Sequence, residues 1–230
     1  MALLLTLARN WKSIVAAGTL VVLAAAAARA QVDLRPSIVE VDWHTPAGYD
    51  RCAAVITARR PGGLEAWTAG HCATHPFTIV RFFDGHEIYG STVRVLAISD
   101  AIDAAELLLP VDAARERNTP LAVRARMAPP LGTTLTVIGH PVSAVRGPNL
   151  GRWTMTYARM GETSADPETG AVQYDIYCSR CGPGDSGSGV FDPDGHLIGI
   201  VYGVTEIANV AGGRLPDGLY AQVVPVAALR

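Results

Sequence analysis

The sequence predicts an all-β protein, and two observations carry this prediction. After residue 37, the 230-residue chain consists of short apolar runs separated by turn-forming residues such as Asp84-Gly85 and Pro193-Asp194-Gly195. No long window in this part of the chain has the periodicity of an amphipathic helix. Many short strands with frequent turns are typical of antiparallel sandwiches or barrels.

The predicted strands follow one another along the whole chain. The first are Ala53–Thr57, Leu64–Thr68, Phe77–Phe83, Thr92–Ala97 and Ala105–Leu109. The later ones are Thr134–Ile138, Trp153–Arg159, Val172–Tyr177, Gly189–Phe191, Leu197–Tyr202 and Leu219–Val223. A short helix or turn is expected near Ala113–Arg117, within the polar stretch Asp112–Pro120. We expect this stretch to connect two halves of the protein.

The first thirty residues have the pattern of a secretory signal peptide. Arg9 and Lys12 precede an apolar run from Ile14 to Ala28, and an Ala-Arg-Ala sequence follows at 28–30. We expect cleavage after Ala30, because the run is shorter than the ~20 residues that a membrane-spanning helix needs. The apolar segment Leu3–Leu5 before the charges is unusual, so an uncleaved membrane anchor stays open as an alternative.

The charge of the exported part argues against a nucleic-acid partner. Removing residues 1–30 takes away three basic residues and no acidic one, which changes the formal charge from −2 to −5. The only lysine of the chain, Lys12, is lost with that segment. A net-acidic domain without a basic patch is a poor nucleic-acid binder.

Three motifs together supply what nucleophilic acyl transfer requires. They are the histidine of Thr68-Ala69-Gly70-His71-Cys72, an aspartate before the apolar strand at 105–109, and Gly184-Asp185-Ser186-Gly187. A serine hydroxyl needs a neutral imidazole to take its proton, and a carboxylate must hold that imidazole in the correct tautomer. Two backbone N–H groups must also bind the oxyanion. Asp100 and Asp103 are both candidates for the carboxylate.

These motifs resemble those of the chymotrypsin-like (trypsin-fold) serine proteases, in their bacterial secreted type. Further resemblances are the segments L-I-G-I-V-Y-G at 197–203 and D-G-L-Y-A-Q-V at 217–223, so the matches extend from about residue 52 to residue 223. The resemblance implies two antiparallel six-stranded β-barrels packed together, with the active site in the cleft between them. We expect residues 31–115 to form the N-terminal barrel and 116–230 the C-terminal barrel.

The resemblance also implies the role of each site residue. His71 is the expected general base, Asp103 the orienting carboxylate and Ser186 the nucleophile, while the N–H groups of Gly184 and Ser186 form the oxyanion hole. Asp103 fits the D-x-A-x-L spacing of the family better than Asp100 does. The implied protein is a secreted or periplasmic serine endopeptidase that hydrolyses polypeptides through an acyl-enzyme. It needs no metal or other cofactor, and we expect a monomer.

The four cysteines are expected to form disulfides, because the chain is predicted to be exported. The family commonly joins the cysteines placed as Cys52 and Cys72, which leaves Cys178 and Cys181 to pair locally or to remain thiols. The family usually bridges a cysteine before the G-D-S-G motif to a distant loop, and this chain offers no such partner. A zinc site at Cys178 and Cys181 with His196 is a weaker alternative.

The resemblance gives the substrate pocket only in outline. Its implied residues are Ser179, Arg180, Tyr202, Gly203, Val204 and Gly218. No acidic residue occurs just before Gly184, which argues against a preference for lysine or arginine at P1, the substrate residue before the cleaved bond. We expect Arg180 to be solvated and P1 to be small or apolar. An acidic P1 residue is the alternative if Arg180 points inward.

Activation is expected to need no cleavage beyond the signal peptide. Many relatives become active when a new N-terminus pairs with the aspartate before the serine, which is Asp185 in this chain. Only Ile38-Val39-Glu40-Val41 faintly resembles the sequence of such an N-terminus. Asp185 is therefore expected to have another partner, such as an arginine.

Three other classes of protein use residues of these types. An α/β-hydrolase requires G-x-S-x-G, whose last glycine is missing around Ser186, and a P-loop requires a lysine that is absent there. A binding or regulatory protein that keeps the protease fold without turnover remains open.

Overall fold

The protein consists of β-strands and one short α-helix in the part that the computed structural model describes, residues 33–46, 48–139, 154–166, 169–207 and 218–229. The first seven strands are β1 Ile38–Thr45, β2 Gly48–Arg60, β3 Gly63–Ala69, β4 Ile79–Phe82, β5 Glu87–Tyr89, β6 Arg94–Ser99 and β7 Ala104–Leu109. Helix α1, Ala113–Asn118, separates them from β8 Thr134–Gly139, β9 Thr154–Ala165, β10 Val172–Tyr177, β11 Gly189–Phe191, β12 Leu197–Ile207 and β13 Gly218–Pro225. The predicted all-β class is confirmed.

Strands β8 to β13 form a closed antiparallel barrel in the order β10-β13-β12-β11-β8-β9. Its interior contains fully buried apolar side chains from several strands, among them Leu135, Ile176, Val190, Ile198 and Val223. This half carries the serine motif on the turn that leads into β11.

Strands β1 to β7 form one antiparallel sheet in the order β5-β4-β1-β2-β3-β7-β6, one strand more than the six predicted. Strand β5 was not among the predicted strands, and a 3-10 turn at Gly90–Thr92 separates it from β6. β5 pairs with β4 and β6 pairs with β7, so the chain itself links the two edges of the sheet. A Cβ at Gly90 would lie 2.1 Å from the carbonyl oxygen of Phe77, which explains why only glycine fits there.

Strand β1 was missing from the strands predicted, because charged residues interrupt its apolar pattern. Val39, Val41 and Trp43 face the core of the first sheet, whereas Glu40 and Asp42 point to the opposite face and are nevertheless buried. Burial and the neighbouring Glu40 raise the pKa of Asp42 to about 7, although Arg51 and Arg81 oppose this rise. The strand therefore contains a buried charged cluster that its sequence disguises.

The two halves pack through a third apolar cluster and a fixed linker. The cluster includes Ile38 and Trp67 from the first half and Phe191 and Ile200 from the second. The linker is the segment 119–133 between α1 and β8. In it, Ala122 donates its N–H to Ile56 O at 2.8 Å, and Ala125 donates its N–H to Leu197 O at 2.8 Å. The linker is thus hydrogen-bonded to both halves, which fixes the cleft between them.

Two predictions concern residues or boundaries that the structure does not test. The predicted signal peptide, residues 1–30, lies outside the described residues. The predicted boundary between residues 115 and 116 falls inside α1 and stays a prediction. Among the described residues, no helix is both long enough and apolar enough to cross a membrane.

Candidate active site

His71 is presented by a 3-10 turn at the end of β3. The strand ends at Ala69 and the turn spans Gly70–Thr74, so the imidazole lies at the rim of the sheet. The N–H of Gly70 donates to Asp103 O at 2.9 Å. A Cβ at Gly70 would approach Asp103 Oδ1 to 2.8 Å, so the missing side chain allows the aspartate to come close.

Asp103 holds His71 through two hydrogen bonds. Its Oδ2 lies 2.8 Å from His71 Nδ1, and its Oδ1 accepts the His71 backbone N–H at 2.8 Å. Burial alone would raise the pKa of Asp103, but the hydrogen bonds from the side chain and backbone of His71 outweigh it and lower the pKa. The carboxylate is therefore ionised at neutral pH. It fixes both the position and the tautomer of the imidazole.

The backbone at Asp103 has an uncommon conformation. Its φ is 44°, and among the described residues it is the one non-glycine residue with positive φ. Aspartate tolerates this left-handed region better than most side chains do. The N–H of Asp103 points to Asp100 O at 3.4 Å. Of the two candidate aspartates, the structure brings Asp103 to the histidine, and Asp100 contributes a turn carbonyl.

Ser186 completes the set from the other half of the protein. Its Oγ lies 2.9 Å from His71 Nε2, and its carbonyl accepts the N–H of Ala53 on β2 at 2.8 Å. The structure thus brings together the three side chains that the sequence singled out. It adds Ala53, which no sequence signal indicated because its contribution is made by the backbone.

The turn before Ser186 leaves two N–H groups available. Asp185 donates to Gly182 O at 3.1 Å and Gly187 donates to Val201 O at 2.7 Å, whereas the N–H groups of Gly184 and Ser186 have no acceptor within the described part of the chain. Gly184 has φ 92°, a conformation that L side chains rarely adopt. The arrangement resembles an oxyanion-binding pair.

Asp185 is buried inside this turn, where it is 3% exposed. Its Oδ2 accepts the N–H of Gly182 at 2.9 Å, and in the described residues no arginine forms an ion pair with it. The expected arginine partner is therefore replaced by the backbone of the same turn. Burial raises the pKa of Asp185 to about 7, although the Gly182 hydrogen bond opposes this rise.

The cysteines form two disulfides, Cys52–Cys72 and Cys178–Cys181. Cys72 follows His71 directly, and Cys52 precedes Ala53. The sulfurs of Cys52 and Cys72 lie near the imidazole in a group of three metal-type ligands, but both are bonded to each other. Cys178 and Cys181 likewise offer no thiolate for the zinc alternative, and His196 Nδ1 lies 3.3 Å from Asp192 Oδ2.

An open cavity of about 620 Å³ lies beside the serine turn. We call it the Arg180 pocket, and it is lined by Ser179, Arg180, Cys181, Gly182, Pro183, Val204 and Leu219. Three predicted pocket residues therefore line it, namely Ser179, Arg180 and Val204. Sequence reasoning did not include Gly182, Pro183 or Leu219 in the pocket, although each is adjacent to a residue or motif that it did name.

The other predicted pocket residues lie outside this lining. A register shift in β12 between Val201 and Gly203 turns Tyr202 toward a second cavity of about 180 Å³, which Asp103 also lines. There the Tyr202 hydroxyl donates to Gln173, and burial raises the pKa of Tyr202 to about 12. Gly203 is paired with Gln222, and Gly218 lies against the ring of Tyr177.

Comparison with known proteins decides the family. The model of the trypsin-like peptidase domain matches residues 26–200. The chain belongs to this family. The trypsin-like family is a family of serine endopeptidases. The substrates of such enzymes are polypeptides. A search of curated protein sequences finds no match.

Solved structures share the fold of this trypsin-like peptidase. The serine endoprotease from Yersinia pestis is 20% identical with a TM-score of 0.61, over 85% of this chain and 61% of that chain. The HtrA-type protease AlgW, solved with a tripeptide, is 22% identical with a TM-score of 0.62, over 84% and 57%. The active form of the Rv3671c protease from M. tuberculosis is 21% identical with a TM-score of 0.62, over 85% and 78%. This trypsin-like chain therefore spans less than two thirds of the first two.

Proposed function

We propose that this protein is a secreted or periplasmic serine endopeptidase that works through an acyl-enzyme on Ser186. The single observation that supports this most strongly is the continuous set of short contacts from Asp103 through His71 to Ser186. The two distances along it are 2.8 Å and 2.9 Å, within the range of hydrogen bonds.

In the first step, Ser186 Oγ attacks the carbonyl carbon of the scissile peptide bond. His71 Nε2 takes the hydroxyl proton, and the ionised Asp103 stabilises the imidazolium that forms. The negative charge on the carbonyl oxygen is met by the N–H groups of Gly184 and Ser186, which are already oriented and need not leave other acceptors. His71 then gives its proton to the leaving amine as the peptide bond breaks.

In the second step, water hydrolyses the ester on Ser186. His71 takes a proton from the water, the same N–H groups bind the second oxyanion, and the Ser186 hydroxyl is regenerated. The two halves of the protein contribute different groups to this chemistry. The first half supplies base and carboxylate, and the second supplies nucleophile and oxyanion donors.

The two disulfides support the proposed location outside the cytosol. Disulfides persist in oxidising compartments and are rare in the cytosol, and four of four cysteines are paired. Export through cleavage after Ala30 is part of the proposal. N-terminal sequencing of protein from the culture medium or periplasm tests it, and a product that retains residues 1–30 would favour the membrane-anchored alternative.

Covalent labelling tests the catalytic part. A fluorophosphonate probe should label the disulfide-bonded protein at Ser186, and peptide mapping should identify that residue. Ser186→Ala should abolish the labelling, while Ser91→Ala, at an exposed serine on the 3-10 turn of the first half, should leave it unchanged. Folded protein that does not react with the probe would favour a non-catalytic binding protein on the same fold.

A further inference from the structure

The Arg180 pocket is lined by apolar residues and by one cationic residue. Cys181, Pro183, Val204 and Leu219 provide the apolar surface, while Ser179 and Arg180 provide a hydroxyl and a guanidinium. No acidic side chain is present among the described residues that line it. The pocket therefore combines space for a hydrocarbon stem with donors for an anionic group.

The pocket is close enough to the nucleophile to receive a substrate side chain. Pro183, in its wall, is three residues before Ser186, and three residues span at most about 10 Å of extended chain. Val204 lies in another part of the pocket lining, and its position is fixed because it pairs with Ala221 between β12 and β13. The substrate residue whose carbonyl is attacked can thus extend its side chain into the cavity.

Arg180 is available to bind an anion. It is exposed, and within the described residues it forms no ion pair or hydrogen bond through its side chain. By contrast, Arg60, Arg81 and Arg115 are held by carboxylates. The planar guanidinium presents paired N–H donors that match the two oxygens of a carboxylate.

We propose that Arg180 determines specificity and that the protease prefers an acidic P1 residue, with glutamate favoured over neutral side chains. This inference rests on the proposed function of Ser186. Glutamate suits the pocket because its methylene groups can lie against the apolar lining while its carboxylate pairs with Arg180. Lysine and arginine are disfavoured by repulsion from Arg180. The proposal adopts the acidic P1 residue that the sequence left open as an alternative, and the expectation of a small or apolar P1 residue stays a prediction that the same test decides.

The size of the preference is limited by the exposure of Arg180. Exposed ion pairs are weakened by solvent and by salt, so the selectivity should depend on ionic strength. We expect the ratio of kcat/KM for glutamate over glutamine at P1 to be about tenfold in dilute buffer, which corresponds to about 1.4 kcal/mol. Because glutamine has the same shape and no charge, this ratio isolates the electrostatic contribution.

The test uses peptides that differ only at P1, which is glutamate, glutamine, leucine or lysine. For wild type we expect glutamate to be cleaved fastest, and added salt should reduce its advantage over glutamine. Arg180→Ala should bring the ratio of glutamate to glutamine close to one. Arg180→Glu should reverse the preference toward lysine.

The control is Arg117→Ala, which removes the same charge from an exposed position on α1 and should leave all ratios unchanged. A thiol assay verifies that Cys178–Cys181 remains intact in the Arg180 variants. A wild-type enzyme that cleaves after glutamine or leucine as fast as after glutamate overturns the inference, as does an unchanged ratio in Arg180→Ala. Labelling of Ser186 separates the two proposals, since its absence removes the proposed function itself.

Discussion

The backbone N–H of Ala53 donates a 2.8 Å hydrogen bond to the carbonyl oxygen of Ser186. The two residues belong to different halves, so the bond joins the halves at the nucleophile itself. Thr68 Oγ1 in turn donates to the Ala53 carbonyl at 2.6 Å, and Thr68 lies on β3, the strand that leads to His71. The distance between Ser186 and His71 therefore depends on how the halves pack, and the serine turn alone does not set it.

Gly187 makes this close approach possible, so we predict that Gly187→Ala inactivates the enzyme. A Cβ there would lie 1.8 Å from Ala53 O and 2.5 Å from Thr68 Oγ1, in a backbone conformation with φ 79° that disfavours alanine. Backbone atoms cannot move aside easily, so the halves would separate at the serine. Probe labelling should be lost, and the midpoint of urea unfolding should fall.

Gly85→Ala provides the matched control for this prediction. Gly85 has φ 85° but no atom within 4 Å of the Cβ position. The substitution should therefore cost only the left-handed backbone strain, about 1–2 kcal/mol, and leave kcat/KM unchanged. If both variants retain activity to the same degree, the proposed contact between the halves does not control the site.

The two disulfides should contribute differently to stability. Cys52–Cys72 closes a loop with a sequence separation of 20, whereas Cys178–Cys181 closes one with a separation of 3. On the chain-entropy model, Cys52→Ser with Cys72→Ser should lower the free energy of unfolding by about 3 kcal/mol. Cys178→Ser with Cys181→Ser should lower it by about 2 kcal/mol or less.

Loss of Cys178–Cys181 should reduce activity more than loss of Cys52–Cys72 does, under conditions where both variants are folded. Cys181 lines the Arg180 pocket and precedes Gly182, whose N–H holds Asp185. Loss of the short disulfide should therefore raise KM in conditions where both variants are folded. Urea unfolding and steady-state kinetics on the same samples check both parts. Equal losses of stability would contradict the loop-length argument.

The sequence indicated the fold class and the three side chains because these have strong local signals. Short apolar runs with turns predict strands, and His71, Asp103 and Ser186 each stand in a motif of the family. Backbone contacts have no such signal, which is why the role of Ala53 was not foreseen. Gly187, which leaves room for the Ala53 carbonyl, is visible in the serine motif, but the sequence does not show what it contacts.

Strand β1 and the orientation of Tyr202 could not be predicted from the local sequence. β1 was missed because Glu40 and Asp42, which point away from the apolar core, are buried with arginine partners supplied by β2 and β4. Tyr202 was assigned to the substrate pocket on strand position alone. A register shift at this residue, which depends on pairing with β13, turns it elsewhere. Both outcomes depend on contacts between strands that are distant in sequence.

Asp103→Asn should leave the fold intact and slow turnover by about four orders of magnitude. An asparagine can accept the His71 backbone N–H but cannot stabilise the imidazolium, and it favours the wrong imidazole tautomer. Thermal unfolding should be nearly unchanged while kcat falls. Asp100→Asn is the control, because Asp100 contributes only its carbonyl to the turn. A large loss of kcat in Asp100→Asn instead would show that the carboxylate is assigned to the wrong residue.

Asp185 should make the protein less stable as the pH rises. The pKa of Asp185 is raised by burial from 3.8 to about 7 in the folded protein. Between these two values the folded protein holds a proton that the unfolded chain has released, so the free energy of unfolding falls as pH rises through this window. Above about pH 7 the folded protein must bury a carboxylate, and the Gly182 N–H and the Ser188 hydroxyl offset this burial only in part.

Asp185→Asn should remove this pH dependence. Relative to wild type, the variant should gain roughly 2–3 kcal/mol in the free energy of unfolding on going from about pH 5 to about pH 8, because two pKa units are involved. Asp42, whose pKa is also raised to about 7, is present in both proteins and cancels in the comparison. Urea unfolding at several pH values measures the difference, and Asp100→Asn at an exposed site should follow wild type. Parallel curves for wild type and Asp185→Asn would show that Asp185 is ionised and well solvated in the folded protein.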